Sequence, residues 1–147
     1  MEAGRITGQE YDQIVSLWQA GLPALKAHPS SLVHGSAFPW TACLTAAGDG
    51  WQVSRLNALG DVLWWDPAYD QASWEYPPFY AWPAACLDAF WNAYGQQPDL
   101  WRIRTYALLQ HVCALNQAYM PPPLSPCCEA LSEEGMIARL REILSLL

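Results

Sequence analysis

The sequence is poor in charge, and poorest in positive charge. Only 14% of its 147 residues are charged, compared with about 25% in an average domain. Seven Lys and Arg stand against fourteen Asp and Glu, which leaves a formal net charge of −7, and Lys26 is the only lysine. No basic cluster occurs, and this argues against nucleic acid as a partner.

Other absences narrow the class of protein further. No apolar run approaches the roughly 18 residues of a membrane-spanning helix, so we expect no membrane partner. Residues 1–13 lack the apolar core of a signal peptide, so we expect a cytoplasmic protein with reduced thiols. Its five cysteines are an odd number and include no CxxC pair. We therefore predict neither a disulfide framework nor a metal site, and no cofactor.

Aromatic residues are abundant, with nine Trp and seven Tyr, and 52% of the residues are hydrophobic. Two interpretations remain open at this point. Either some apolar surface is covered by another protein chain or by a second copy of this one, or the aromatic residues form a large core. The length fits one domain, residues 1–147.

Several segments have helical patterns. Thr7-Gly8-Gln9-Glu10 has the form of a capping box, and apolar residues follow it at spacings of three and four up to Leu25. The spacing predicts further helices over 82–94, with Gly95 as its C-cap, and over 98–120. Ser125-Pro126 predicts the start of a further helix that runs to residue 147.

The region between the first two helices has strand and turn signals. Residues 32–34 form a short apolar run that we read as an extended segment entering a loop. Residues 42–47 and 51–57 flank Gly48-Asp49-Gly50, which predicts a β-hairpin. Asp66-Pro67 then predicts a short helix, with Asp66 as its N-cap.

Two segments in this region carry a family resemblance. His34-Gly35, with Pro39 four residues after the glycine, is followed by the hairpin and then by Asp66-Pro67-Ala68-Tyr69-Asp70. In this order they resemble the C-lobe of the aminoglycoside/choline phosphotransferase family, over residues 9–120. The resemblance implies a protein-kinase-like fold of the α+β class, mainly helical, with one small hairpin and about five to six helices. A helix at about 125–147 would be additional.

The catalytic motif of that family is His-Gly-Asp, four further residues and then Asn. Here Ser36 stands at the position of the catalytic base, Thr41 at that of the metal-binding Asn, and Asn57 at that of the metal-binding Asp. A serine hydroxyl does not accept a proton near neutral pH, and Mg²⁺ prefers anionic oxygen. The resemblance therefore implies a pseudokinase, catalytically inactive, that acts by protein binding or scaffolding.

The family also has an N-terminal lobe of roughly 100 residues with a nucleotide-binding Lys. No Gly-rich phosphate loop occurs here, so we expect no N-lobe. The alternative hypothesis is the C-terminal half of a split ATP-dependent small-molecule phosphotransferase, completed by another chain. Only that alternative involves ATP and Mg²⁺, with acids such as Asp61 replacing the lost ligands. A third possibility is a small ligand bound in the cleft without turnover.

The remaining candidate residues have both functional and structural interpretations. His34 either acts in catalysis or organises the loop, and the resemblance favours the loop. Asp61, Asp66 and Asp70 are binding candidates, but Asp66 also suits a helix cap, and the resemblance implies that Asp70 braces the catalytic loop. Trp64 and Trp65 suit either ligand stacking or core packing.

The apolar stripe of the C-terminal helix also has two interpretations. It suits either the core or a contact with a partner chain, and it comprises Met136, Ile137, Leu140, Ile143 and Leu144. Cys127-Cys128, Cys113 and His111 have the elements of a soft-metal site, but we expect buried thiols instead.

Overall fold

The computed structural model describes residues 6–35, 41–57, 59–95, 99–116 and 129–147, without the side chains of Trp51, Glu129 and Ala130. It is an α+β structure and mainly helical, as predicted. Its α-helices are α1 Gly8–Ala27, α2 Ala68–Glu75, α3 Ala84–Tyr94, α4 Leu100–Leu115 and α5 Glu133–Ser145. Its strands are β1 Ser31–Val33, β2 Ala42–Ala47, β3 Gly50–Leu56, β4 Leu63–Trp65, β5 Tyr80–Ala81 and β6 Glu129–Ala130.

The start of α1 has the predicted capping box. The Thr7 hydroxyl accepts a hydrogen bond from the Glu10 amide (3.2 Å), and the Glu10 carboxylate accepts one from the Thr7 amide (2.7 Å). The two bonds pair backbone N–H groups that an uncapped helix leaves exposed. At the end of α3, Gly95 is the predicted C-cap, with φ of 73°.

The C-terminal helix begins later than its apolar pattern predicted. Ser125 and Pro126 lie outside the described residues, and the next residues, 129 and 130, form a strand. Helix α5 begins at Glu133, where the Ser132 hydroxyl accepts a hydrogen bond from the Gly135 amide (3.1 Å). The predicted start near residue 125 is therefore wrong, because Ser132 rather than Ser125 caps the helix.

The predicted β2–β3 hairpin is present, with Ala47 opposite Gly50 and a positive φ of 62° at Gly48 in its turn. The other strand pairs were not predicted from the sequence. Within the described ranges there are two more antiparallel pairs, β1 with β4 and β5 with β6. Each joins segments more than 25 residues apart, so no local turn signal marks them.

The core lies where α2 and α5 pack on α4. Ile103, Tyr106 and Ala107 of α4 are almost fully buried there with Ala72 of α2 and Ile143 of α5. The predicted apolar side of α4 contained Trp101, Thr105, Leu108, Leu109, Val112, Leu115 and Tyr119. Thr105 and Leu108 are buried but Trp101 is exposed, and Tyr119 lies outside the described residues.

The stripe of α5 belongs to this chain's own interior. All of its members are 0–7% exposed: Met136, Ile137, Leu140, Ile143 and Leu144. The prediction of a partner contact there is therefore wrong, because α4 already covers these side chains. In the described ranges, no helix has the length and apolar character needed to cross a membrane.

Candidate functional site

Asp70 holds the start of the loop that carries the His34-Gly35 motif. It lies in the first turn of α2. Its Oδ2 accepts a hydrogen bond from the His34 amide (2.6 Å), and its Oδ1 accepts one from the Gly35 amide (3.0 Å). Hydrogen bonds to an ionised carboxylate are stronger than neutral ones. The bracing role that the resemblance implies for Asp70 has this geometry.

Gly35, the last described residue before this loop, lies very close to the backbone of Asp61. Its φ is +79°, a conformation that residues with a Cβ rarely adopt. A Cβ at this position would lie 2.2 Å from the carbonyl oxygen of Asp61. Backbone conformation and space therefore both require glycine at the centre of the motif.

The His34 ring connects this loop to the end of the hairpin. Its Nε2 lies 2.7 Å from the Asn57 carbonyl oxygen, and because a carbonyl only accepts, Nε2 carries the proton. The Asn57 amide in turn donates to the Thr41 carbonyl (2.6 Å). Of the degenerate catalytic positions, Thr41 is buried and Asn57 half-buried, while Ser36 lies outside the described residues.

The Cys43 thiol, which was not a candidate in the sequence, contacts the Asn57 side chain. The Asn57 side chain donates to Cys43 Sγ (3.2 Å), and Arg55 Nη2 lies 3.7 Å from the same sulfur. These contacts, first with Arg55 and then with Asn57, lower the pKa of Cys43 from its ordinary value. The feature that could have identified Cys43 is the hairpin register, which places Cys43 opposite Arg55.

Asp66 has a structural role. Its Oδ1 accepts a hydrogen bond from the Ala68 amide (3.0 Å), and its Oδ2 accepts one from Arg102 Nε (3.0 Å). Arg102 Nη2 also contacts Oδ1, so the ion pair is bidentate. The carboxylate is 5% exposed, and its charge is matched by the guanidinium. Helix α2 begins at Ala68, one residue later than predicted, and its N-cap is Pro67, so the prediction of Asp66 as the N-cap is wrong. The Asp66 carboxylate instead bonds the first amide of the helix from the residue before the cap.

The three aspartates of the second segment do not come together as a metal site. Asp61 lies in a 3-10 helix, Leu59–Asp61, and is exposed, whereas Asp66 and Asp70 are engaged as described above. Across the described ranges, no group of three or more His, Cys, Asp and Glu side chains is placed to hold a metal ion.

The two tryptophans of β4 are outside the core. Trp64 is 71% exposed and lies opposite Leu32 of β1, which is also exposed. Trp65 points to the other face of this strand pair and is partly exposed. Of the two interpretations of Trp64, core packing is therefore wrong, because none of the described residues covers this face of the β1–β4 pair.

The β2–β3 hairpin also has an exposed apolar face. Leu44 and Val53 are directly opposite each other and 58% and 59% exposed, and the neighbouring pair is Ala42 with Leu56. The other face carries polar residues such as Thr45 and Gln52, which are opposite each other. Since side chains alternate between the faces of a strand, the hairpin is amphipathic, and its apolar face has no cover from the described residues.

A cavity of about 240 Å³ lies where the C-terminal half of α1, β4 and α4 meet. It is lined by Trp18, Leu22, Leu25, Lys26, His28, Ser30, Trp65, Asp66 and Tyr106. Tyr106, which lines the cavity, and Arg102, which pairs with the Asp66 in its wall, were not candidates in the sequence. Their signal is weak, because both lie on α4, more than 35 residues from the Asp66 that they accompany.

Comparisons with protein-family models, with curated proteins and with solved structures found no match to this chain. The resemblance to the phosphotransferase C-lobe therefore remains a prediction. It depends on the motif residues His34, Gly35 and Pro39, on the hairpin that follows them and on the segment 66–70, in that order.

Proposed function

We propose that this chain is a pseudokinase-like module, derived from a phosphotransferase C-lobe, that binds another protein chain or a second copy of itself. The observation that carries the proposal is the distribution of exposed apolar side chains. Most of the large exposed apolar side chains among the described residues lie between positions 31 and 65: Leu32, Leu44, Val53, Leu56, Leu59, Leu63, Trp64 and Trp65.

The size of this exposure favours a contact surface. A typical monomer has no apolar patch larger than about 300–600 Å². Trp64 alone, at 71% exposure, contributes roughly 100–180 Å², since an aromatic side chain can bury 150–250 Å². Leu32 lies opposite Trp64 in the β1–β4 pair, and the Leu44–Val53 pair forms a second apolar patch on the hairpin. All three of these side chains are more than half exposed.

The state of the carboxylates supports the absence of catalysis. Phosphoryl transfer needs a base for the hydroxyl proton and oxygen ligands for Mg²⁺. Asp66 is paired with Arg102, and Asp70 is bonded to two backbone amides. Using either one in catalysis would break the contacts that hold α2 and the loop. A cytoplasmic location suits the free thiols of Cys43, Cys86 and Cys113.

Light scattering at micromolar concentration tests this proposal. We expect the protein to have at least twice the mass of one chain, and the double variant Leu44→Thr, Val53→Thr to have the mass of a single chain. Threonine is β-branched, a shape that suits a strand, so the hairpin should persist. The control is Gln52→Thr, on the opposite face, which should leave the mass unchanged.

A monodisperse monomer for the unmodified protein would contradict self-association. In that case the apolar face needs a different chain, and a partner that co-purifies must be lost from the double variant but not from Gln52→Thr. A partner retained by the double variant, or no partner at all, would overturn the proposed role of this surface.

The split phosphotransferase is the second candidate. The hydrogen bonds that fix His34 and Gly35 favour it. Asp70 and Asn57 make these bonds, and His34 and Gly35 stand at the start of the family's catalytic motif. Calorimetric titration with ATP and Mg²⁺, with and without a co-purified partner, separates the two candidates. Heat of binding, and a phosphorylated product that disappears in Asp61→Asn, would support the enzyme. Absence of heat in both cases removes it.

A further inference from the structure

The cavity beside Asp66 is separate from the apolar face of the β2–β3 hairpin, and it has the features of a ligand site. Its walls are mostly aromatic and aliphatic. Trp18 and Tyr106 form one corner, with ring centroids 5.9 Å apart in an edge-to-face arrangement. Trp65 and Leu25 also line it. Small-molecule sites have this composition, with apolar walls and a few polar groups that orient the ligand.

The volume sets the size of the ligand. At about 240 Å³, the cavity is larger than the roughly 150 Å³ cavity that holds a benzene molecule. It is smaller than the 300–1,000 Å³ typical of sites for drug-sized ligands. A single aromatic ring with a short polar side chain therefore fits this space.

The charges around the cavity favour an anion. Lys26, the only lysine of the chain, and His28 are at its lining, and the Asp66 carboxylate in its wall is paired with Arg102. Burial and the nearby Asp66 raise the pKa of Tyr106 to about 12, so its hydroxyl is neutral at pH 7. Among the described residues, the positive charge at the cavity that has no carboxylate partner is therefore the Lys26 ammonium, in a protein whose net charge is −7.

We propose that this cavity binds a small aromatic carboxylate, with the ring among Trp18, Trp65 and Leu25 and the carboxylate at Lys26. A cationic ligand meets Lys26 and gains no free carboxylate, because Arg102 already occupies Asp66. A neutral aromatic ligand gains the apolar contacts but not the ion pair.

Three probes of equal ring size test this assignment by calorimetry: phenylacetate, phenylacetamide and phenethylamine. We expect phenylacetate to bind most tightly, phenylacetamide more weakly and phenethylamine least. Lys26→Met keeps the aliphatic part of the side chain and removes the charge. It should weaken phenylacetate binding by about two- to fivefold, the upper part of the range of one exposed ion pair, and leave phenylacetamide unchanged.

Arg139→Met is the matched control, since it removes one positive charge from α5, away from the cavity lining. It should leave phenylacetate binding unchanged. Leu22→Trp fills the cavity and should abolish binding of all three probes, with folding checked by circular dichroism. Failure of all three probes to bind the unmodified protein would overturn the proposal. So would phenethylamine binding as tightly as phenylacetate, or an equal loss in Lys26→Met and Arg139→Met.

Discussion

The helical body, formed by α1, α2, α4 and α5, and the strand region between residues 31 and 65 both contain apolar residues. These side chains are mostly buried or partly buried in the helical body and mostly exposed in the strand region. Leu140 and Ile143 of α5 are almost fully buried, whereas Leu44 and Val53 of the hairpin are more than half exposed. The body is held by apolar packing. The strand region is held by backbone pairing and by the polar contacts of Asp70 and His34. Hydrophobic character alone therefore does not decide which segment forms the core.

The largest expected difference comes from the same substitution made in both regions. Leu140→Ala leaves a cavity under α4 and should lower the free energy of unfolding by about 2–5 kcal/mol. Leu44→Ala removes an exposed side chain and should change it by under about 1 kcal/mol. Urea denaturation of the two variants measures both values. Equal losses would contradict the comparison and would mean that the hairpin face is covered in the folded protein.

The second largest effect concerns a histidine inside the body. Burial lowers the pKa of His111 from 6.5 to about 4, against the bond from its Nδ1 to the Ala107 carbonyl. Its Nε2 has no hydrogen-bond partner within the part of the chain that the structure describes. The folded state therefore keeps His111 neutral, while the unfolded state binds a proton as the pH falls below 6.5.

Stability should accordingly fall as the pH decreases from 6.5 to about 4, by up to about 3 kcal/mol for this group. His111→Leu removes the titration, so its free energy of unfolding should depend less on pH in this window than that of the unmodified protein. Parallel curves for the two proteins, measured by urea denaturation across that range, would show that the imidazole is not buried.

A smaller effect on stability should appear at Gly35, within the strand region. Gly35→Ala forces both an unfavourable φ and a contact with the Asp61 carbonyl, and should cost about 2–3 kcal/mol. Gly48→Ala has the same unfavourable sign of φ, at 62°, but open space around its Cβ, and should cost about 1 kcal/mol. Thermal unfolding distinguishes them. A Gly35→Ala cost no larger than that of Gly48→Ala would contradict the close approach to Asp61.

The smallest effect belongs to the surface ion pair that joins α1 to α5. The bond from Arg141, followed by that from the Thr7 amide, lowers the pKa of Glu10 to about 2, from 4.5. Because the folded pKa is depressed, this stabilisation is present above pH 4.5 and is lost as the pH falls toward 2. Since the pair is exposed, the effect should be small and weaker in high salt. Glu10→Gln should remove it, and Glu133→Gln is the control.

Features that depend on neighbouring residues were predicted well. The capping box at Thr7, the C-cap at Gly95 and the turn at Gly48-Asp49-Gly50 all form as expected. Each of them satisfies backbone groups within a few residues of itself, so the local sequence contains the required information. The late start of α5 is an exception, because Ser125 and Ser132 are both suitable caps and local signals do not rank them.

The candidate site was predicted only in part. The sequence placed His34, Asn57 and Asp70 in one region, and the structure joins them by hydrogen bonds. Sequence reasoning missed Arg102, because the Asp66–Arg102 pair joins residues 36 positions apart in the chain. It also placed the α5 stripe and the Trp64 side chain ambiguously, since an apolar pattern indicates which face needs cover but not what covers it.

The sequence by itself determined the mainly helical α+β class, the main helices, the hairpin and the position of the loop motif, because caps, turns and periodicity act over a few residues. Only the tertiary structure decided which apolar faces are covered, how β1 pairs with β4 and which charge neutralises Asp66. These outcomes depend on segments that are far apart in the chain. Their contacts form only when the whole core packs, so no local pattern specifies them.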